Sequence, residues 1–178
     1  MNATVKVWDP LVRVFHWSLV LCFAVAWASA DEWQDLHEIA GYTAATLIAF
    51  RLIWGLFGPR YARFRQFVRD PKVVAGYLSD MLKGREIRYL GHNPAGGMMV
   101  VVLLLGIAML TLSGWLYTDI LWGEEWVEES HELLANLMLV LAGLHVAGVV
   151  LASIRHRESL VKSMITGRKR VPGEVDVS

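Results

Sequence analysis

Four of the six histidines lie within, or at the ends of, long apolar segments. His131 and His145 are 14 residues apart, which is about 21 Å along a helix, and they share one helix face at two depths. His16 lies at the depth of His145, and His37 lies at the depth of His131. An imidazole in hydrocarbon is costly and usually marks a function. The spacing therefore predicts two pairs, His16 with His145 and His37 with His131.

Two opposed imidazoles on separate helices suit a flat macrocycle that takes one axial ligand from each side. Haem b fits this arrangement, bound without covalent attachment because Cys22 is the single cysteine. Gly41 lies one turn after His37 and leaves room for a bulky ring between packed helices. Arg51 shares the face of His37 at the depth of the inner pair, which predicts an ion pair with a haem propionate. An alternative interpretation of equal weight is that the Arg51 side chain extends along the helix to the lipid headgroups.

Other interpretations of the histidines stay open at this point. In the first alternative the four histidines are unrelated side chains of the helix bundle, and each imidazole is hydrogen-bonded to a neighbouring helix. They also suit a metal-transport site, although neither depth offers the carboxylates or thiolates that usually complete one. His92 precedes Asn93-Pro94 at the expected start of a helix. Helix initiation accounts for His92, and a role beside an inner cofactor is the alternative.

The chain has 178 residues, of which 55% are hydrophobic, and the apolar residues form four blocks long enough to span about 30 Å of hydrocarbon. We therefore predict an all-α membrane protein, a bundle of four transmembrane helices in a single membrane domain over residues 1–178. Asp9-Pro10 is expected to start the first helix and Ser130 to cap the last. The predicted segments are helices at 10–30, 37–57, 94–117 and 130–154, an amphipathic interfacial helix at 71–83 and a cytoplasmic tail at 155–178.

The net charge of zero hides a strong asymmetry between the loops. All 17 basic residues lie on one side of the predicted spans, whereas every charged residue of the other two connections and the adjoining helix ends is acidic. These ten are Asp31, Glu32, Asp35, Glu38, Asp119, Glu124, Glu125, Glu128, Glu129 and Glu132. By the positive-inside rule, both termini of this multi-pass protein face the cytoplasm. Ala28-Ser29-Ala30 imitates a signal-peptidase site, but the apolar stretch before it is longer than a signal sequence needs.

Several motifs then follow one another along the chain. They are Trp8-Asp9-Pro10-Leu11-Val12-Arg13-Val14-Phe15-His16-Trp17, Leu36-His37-Glu38 with Gly41-Tyr42, Arg51-Leu52-Ile53-Trp54-Gly55, Gly58-Pro59-Arg60-Tyr61-Ala62-Arg63-Phe64 and Gly91-His92-Asn93-Pro94. Over most of residues 5–165 the sequence resembles the bacterial di-haem cytochrome b family, which includes the cytochrome b subunits of membrane nickel-iron hydrogenases. The resemblance implies a four-helix bundle in the bacterial inner membrane. It also implies two bis-histidine b haems, ligated by His16, His37, His131 and His145.

The expected function is electron transfer between a periplasmic redox partner and the quinone pool of a respiratory chain. Quinone is expected near the inner haem, beside Arg51, Tyr61, His92 and Asn93, and an outer quinone site is the alternative. Expected partners are membrane lipid, quinone and a basic periplasmic redox protein, either a c-type cytochrome or a hydrogenase subunit. Nucleic acid is not expected, and a homo-oligomer stays open.

Two other functions remain as alternatives. The first is a membrane oxidoreductase whose outer haem oxidises a small diffusible reductant such as superoxide, with quinone as acceptor. The second is a transporter without redox chemistry that uses the intramembrane histidines. Whether the chain is itself a quinone oxidoreductase or only an electron-transfer subunit stays open as well.

Overall fold

The computed structural model describes residues 3–177. The elements in chain order are β1 (Thr4–Lys6), α1 (Pro10–Ser29), α2 (Gln34–Phe57), a 3₁₀ turn (Arg60–Ala62), α3 (Phe64–Phe67), α4 (Pro71–Leu82), α5 (Pro94–Trp115) with a π-helical extension (Leu116–Ile120), α6 (Glu125–Arg155), α7 (Leu160–Thr166) and β2 (Arg168–Arg170). Within the described residues, four helices are long and apolar enough to cross a membrane: α1, α2, α5 with its extension, and α6. The predicted fold class is confirmed, including the short amphipathic helix α4.

The helix starts on the basic side follow from local chemistry. The Asp9 carboxylate accepts from the backbone N–H groups of Leu11 and Val12 at 3.0 and 3.2 Å, which satisfies two donors of the first turn of α1. Asp70 caps α4 in the same way, and Asn93 accepts from the N–H of Gly96 at 2.6 Å at the start of α5. Each of these helices has proline as its first residue, where no N–H is needed.

Two helices begin earlier than the hydropathy predicted. Helix α2 starts at Gln34 rather than at residue 37, so His37 lies in its first turn. Helix α6 starts at Glu125, and the prediction that Ser130 caps it is wrong, because the Ser130 hydroxyl donates to the carbonyl of Trp126 inside the helix. Glu125 and Glu128 form the acidic first turn, where carboxylates stabilise the helix N-terminus. Apolar patterning does not detect such a polar first turn.

The chain divides into two compact units. The described part of the first unit covers residues 3–13, 53–101 and 144–177, and the second unit covers Val14–Leu52 and Val102–Gly143. In the first unit, β1 pairs antiparallel with β2, with Thr4 opposite Arg170 and Lys6 opposite Arg168. Because the two ends of the chain pair directly, both lie on the same side of the membrane, as an even number of crossings requires.

Buried aromatic and charged groups hold the ends of the chain together in the first unit. Trp8 packs with Val7 and Leu90, and its indole N–H donates to the Ser163 hydroxyl at 3.4 Å. Gly167 ends α7 with φ of +78°, and a Cβ there would lie 2.7 Å from the Trp8 carbonyl oxygen, so glycine is required on both counts. The predicted tail at 155–178 therefore contains a helix and a strand that belong to this unit.

Arg88 and Lys169 are two buried cations of the same unit. The Arg88 guanidinium donates to Glu158 at 2.8 Å, to Asp176 and to the backbone carbonyl of Arg170 at 3.0 Å. The Lys169 ammonium lies 3.4 Å from the Tyr89 carbonyl oxygen, and burial lowers the pKa of Lys169 to about 8. The ion pairs of Arg88 hold these segments of the first unit together, whereas the buried charge of Lys169 carries a desolvation cost.

Candidate functional site

The second unit brings His37 and His131 together. His37 lies in the first turn of α2 and His131 in the second turn of α6, and both imidazoles are half-buried. The ring centres are 6.0 Å apart and the ring planes are inclined at 72°. These are the two histidines that the sequence placed at the same outer depth.

The position of the His37 proton follows from its hydrogen bond. Nδ1 of His37 lies 2.8 Å from the backbone carbonyl oxygen of Ala26 in α1. A carbonyl oxygen only accepts, so Nδ1 carries the proton and donates it. In the neutral imidazole, Nε2 then keeps its lone pair and is the nitrogen available to a metal.

His131 is held in the same tautomer by a serine. The Ser113 hydroxyl of α5 donates its single proton to the carbonyl of Leu110 at 2.9 Å. Nδ1 of His131 lies 2.9 Å from the same hydroxyl oxygen, which must therefore accept the Nδ1 proton of His131. His131 also presents an unprotonated Nε2. Metal-binding histidines characteristically donate the other ring N–H to a protein oxygen in this way, which fixes the tautomer and the ring orientation.

The residue after Ser113 allows this contact. A Cβ on Gly114 would lie 3.1 Å from Cε1 and 3.5 Å from Nδ1 of His131, so a side chain there would push the imidazole away from its serine. Sequence analysis missed Ser113 and Gly114. The available signal was a hydroxyl residue beside a glycine near the end of the apolar helix α5, on the same side of the spans as His131. The acceptor carbonyl of Ala26 leaves no signal in the sequence.

The outer pair fits a macrocycle with two axial ligands. Two metal–nitrogen bonds of about 2 Å, with about 1 Å from each nitrogen to its ring centre, place the ring centres about 6 Å apart. The distance between His37 and His131 matches that requirement. A Cβ on Gly41, one turn after His37, would meet no heavy atom within 4 Å, so there is open space beside the site. Within residues 3–177, no group of three or more histidine, cysteine or acidic side chains converges on one point.

The two inner histidines belong to different units. His16 lies in α1 in the second unit, half-buried, with its ring edge-on to Trp17 at 5.0 Å between centres. His145 lies in α6 in the first unit and is also half-buried.

Arg51 and His92 were the remaining predicted neighbours of an inner cofactor. Arg51 lies in α2 and is only 3% exposed, which does not favour an arginine that snorkels to the headgroups. His92 lies in the first unit between two aromatic rings, Trp8 and Phe67, each 4.7 Å away between ring centres. Asn93, rather than His92, caps α5.

The acidic residues near His131 lie on the second unit with exposed side chains. Glu124 precedes α6, and Glu125, Glu128, Glu129 and Glu132 occupy its first turns. Glu128 accepts from the Tyr117 hydroxyl at 3.2 Å. These carboxylates give the end of the site near His131 a negative field that acts on charged groups at a distance.

The chain is similar to one known protein family and to a curated relative. The sequence profile of a family described as prokaryotic cytochrome b561 matches residues 7–167. A relative from Rhodobacter capsulatus, described as a probable Ni/Fe-hydrogenase B-type cytochrome subunit, is 24% identical, and the alignment covers 94% of this chain and 82% of the relative. No solved structure matches the chain.

Proposed function

Because the chain belongs to the prokaryotic cytochrome b561 family and is therefore a membrane b-type cytochrome of electron transfer, we propose that it binds two haems, one near each face. We further propose that it carries electrons between a periplasmic redox partner and the quinone pool of the bacterial inner membrane. When bound, the haem iron supplies a one-electron redox couple. The roles of the protein are to ligate the two irons, to set their potentials and to guide the partners.

The observation that carries the proposal is the pair His37 and His131. Both Nδ1 protons are donated to protein oxygens, so both Nε2 atoms are free to ligate the iron of the outer haem. If both histidines hold the iron, no coordination position is left for a substrate. Such a site favours outer-sphere electron transfer over the binding of a substrate to iron.

The inner haem is assigned to His16 and His145 on the argument of depth along the helices. Arg51 is the proposed partner of an inner propionate, since a buried guanidinium with 3% exposure needs a negative charge or strong acceptors nearby. Gly41 is proposed to leave space for the outer macrocycle. Quinone is proposed to react on the inner side, with Arg51, Tyr61, His92 and Asn93 as candidate neighbours. The ring nitrogens of His92 could donate or accept a proton there.

The proposed orientation of the protein in the membrane follows from the distribution of its charged residues. The paired strands β1 and β2 keep both termini on one side, and the basic loops on that side make it the cytoplasmic side by the positive-inside rule. The acidic end of the second unit then faces the periplasm. A basic redox protein is the complementary partner, and the relative named as a hydrogenase cytochrome subunit makes a hydrogenase electron-transfer subunit a candidate beside a c-type cytochrome.

Haem content in single histidine variants tests the proposal. We expect two haems per chain in the wild type. His37→Ala and His131→Ala should each remove the same outer haem, and His16→Ala and His145→Ala should each remove the inner one. His156→Ala is the matched control, because His156 lies just beyond α6 and should leave both haems in place. A purified protein without Soret and alpha bands would refute the function, and loss of one and the same haem in His16→Ala and His131→Ala would refute the pairing.

A further inference from the structure

A small cleft in the first unit is lined almost entirely by arginine. It has a volume of about 310 Å³, and its lining residues are Arg60, Arg63, Arg65 and Gln66. The cleft lies in the segment between α2 and α4, away from every histidine proposed as a haem ligand.

The backbone under these arginines is held firmly. Gly58-Pro59 ends α2, and the next residues form the 3₁₀ turn and the single turn of α3. Ala62 and Phe67 anchor this segment, with exposures of 2% and 1%. The Arg63 Nε donates to the Gly58 carbonyl at 2.6 Å, which fixes one guanidinium at the edge of the cleft.

Three of the four residues that line the cleft are cationic. No carboxylate is among its lining residues within the described part of the chain. Arg65 forms no hydrogen bond or ion pair with any of residues 3–177, and its side chain is exposed. Guanidinium groups of like charge in one cleft repel one another unless an anion lies between them. Their planar forks suit the oxygens of a phosphate group.

The position of the cleft indicates where such a phosphate comes from. The last turn of the spanning helix α2 carries Leu56 and Phe57, which are 65% and 77% exposed and end only three residues before Arg60. Exposed apolar side chains at the end of a spanning helix are expected to lie in hydrocarbon at the membrane boundary. The cleft therefore lies at headgroup level, where basic pockets select anionic lipids.

We propose that this cleft binds the phosphate group of an anionic phospholipid, with the acyl chains lying along Leu56 and Phe57. Lipids whose headgroups carry an ammonium group are disfavoured, because the arginines repel that cation. The proposal rests on the chain spanning the membrane and does not depend on the haem ligands.

Native mass spectrometry of the purified holoprotein, exchanged into phosphatidylcholine nanodiscs with a minor fraction of phosphatidylglycerol, tests the site. The variant Arg60→Gln/Arg65→Gln removes two lining charges. The variant Arg69→Gln/Lys72→Gln removes the same charge just after the cleft, from the residue before Asp70 and from the first turn of α4, and is the matched control. Each arginine near an anionic lipid is worth about fivefold in affinity, so the cleft variant should retain phosphatidylglycerol about 25-fold less well.

Separate additions of inorganic phosphate and glycerol 3-phosphate distinguish a lipid from a soluble anion. We expect neither to displace phosphatidylglycerol, and we expect Arg60→Lys/Arg65→Lys to recover part of the binding. Equal losses in the cleft and control variants would show a diffuse charge effect and overturn the site. Displacement by inorganic phosphate would overturn the lipid as its ligand. An unchanged haem spectrum in each variant establishes that the protein is folded.

Discussion

Removal of the Ser113 hydroxyl should raise the potential of the outer haem. Ser113 accepts the Nδ1 proton of His131 at 2.9 Å, and this contact makes the imidazole more electron-rich. An electron-rich ligand favours the oxidised iron, so Ser113→Ala should favour the reduced form. A neutral hydrogen bond is worth about 1 kcal/mol. If the hydrogen bond is weaker in the reduced state by half or all of this energy, its loss shifts the potential by about 20–40 mV. The conversion uses about 59 mV for a tenfold change in the equilibrium constant of a one-electron step.

The same substitution leaves the Nδ1 proton of His131 without its acceptor. Loss of a hydrogen bond behind a metal ligand costs about 10- to 100-fold in metal affinity, and for a neutral hydroxyl we expect the lower end of that range. The assay is a redox titration of the alpha band in purified holoprotein, together with haem content after challenge with a haem-binding apoprotein. Both readouts should change for the outer haem and neither for the inner one.

Thr111→Ala is the matched control. The Thr111 hydroxyl lies on the same helix and donates only to the Ala108 carbonyl at 3.1 Å. Ser113→Thr keeps a hydroxyl and should restore most of the wild-type potential. If Ser113→Ala titrates like Thr111→Ala, the serine does not orient the ligand, and the assignment of the His131 tautomer is refuted.

Three further predictions follow from the other charged groups. Arg51→Leu should lower the potential of the inner haem, on the order of tens of millivolts, because a nearby positive charge is lost, and an unchanged titration would favour a role apart from the haem. Electron transfer from a basic partner, measured by stopped-flow, should slow as ionic strength rises. Neutralising Glu124, Glu125 and Glu128 together should weaken this salt dependence, and a rate that rises with salt would exclude docking of a basic protein at these carboxylates. Lys169→Met should raise the free energy of unfolding of the first unit at pH 7. The difference between variant and wild type should shrink as the pH rises from about 8 towards 10.5, because Lys169 of the folded wild type loses its proton in this range while the unfolded chain still holds it. That interval corresponds to about 3 kcal/mol, and thermal unfolding of wild type and variant across this pH range measures it.

The spanning helices could be read from the sequence because their signals are local. Asp9 and Pro10 mark the start of α1, and an apolar block fills a bilayer wherever it occurs. The proximity of His37 and His131 also followed from local information, because the length of each helix sets the depth of its residues. Helical rise alone converts sequence position into depth.

The features that were missed depend on contacts between distant segments. Strands β1 and β2 have three residues each and are more than 160 residues apart in the sequence, so no local sequence pattern predicts their pairing. The contact between Ser113 and His131 joins α5 to α6 within the second unit, so it can be recognised only from the packing of these two helices. Glu125 was excluded from α6 because a polar first turn has no hydropathy signal, although carboxylates favour that position.

The pairing of the two ends of the chain sets an order for biogenesis. Residues 4–6 are translated before all four spanning helices of the described chain, but their partner strand, 168–170, is translated after them. Until then, the indole of Trp8 lacks the Ser163 hydroxyl that it contacts in the finished protein. The first unit can therefore close only after α6 has been translated, and a nascent chain that stops short of Gly167 leaves the backbone N–H groups of Val7 and Trp8 without the carbonyl that accepts from both.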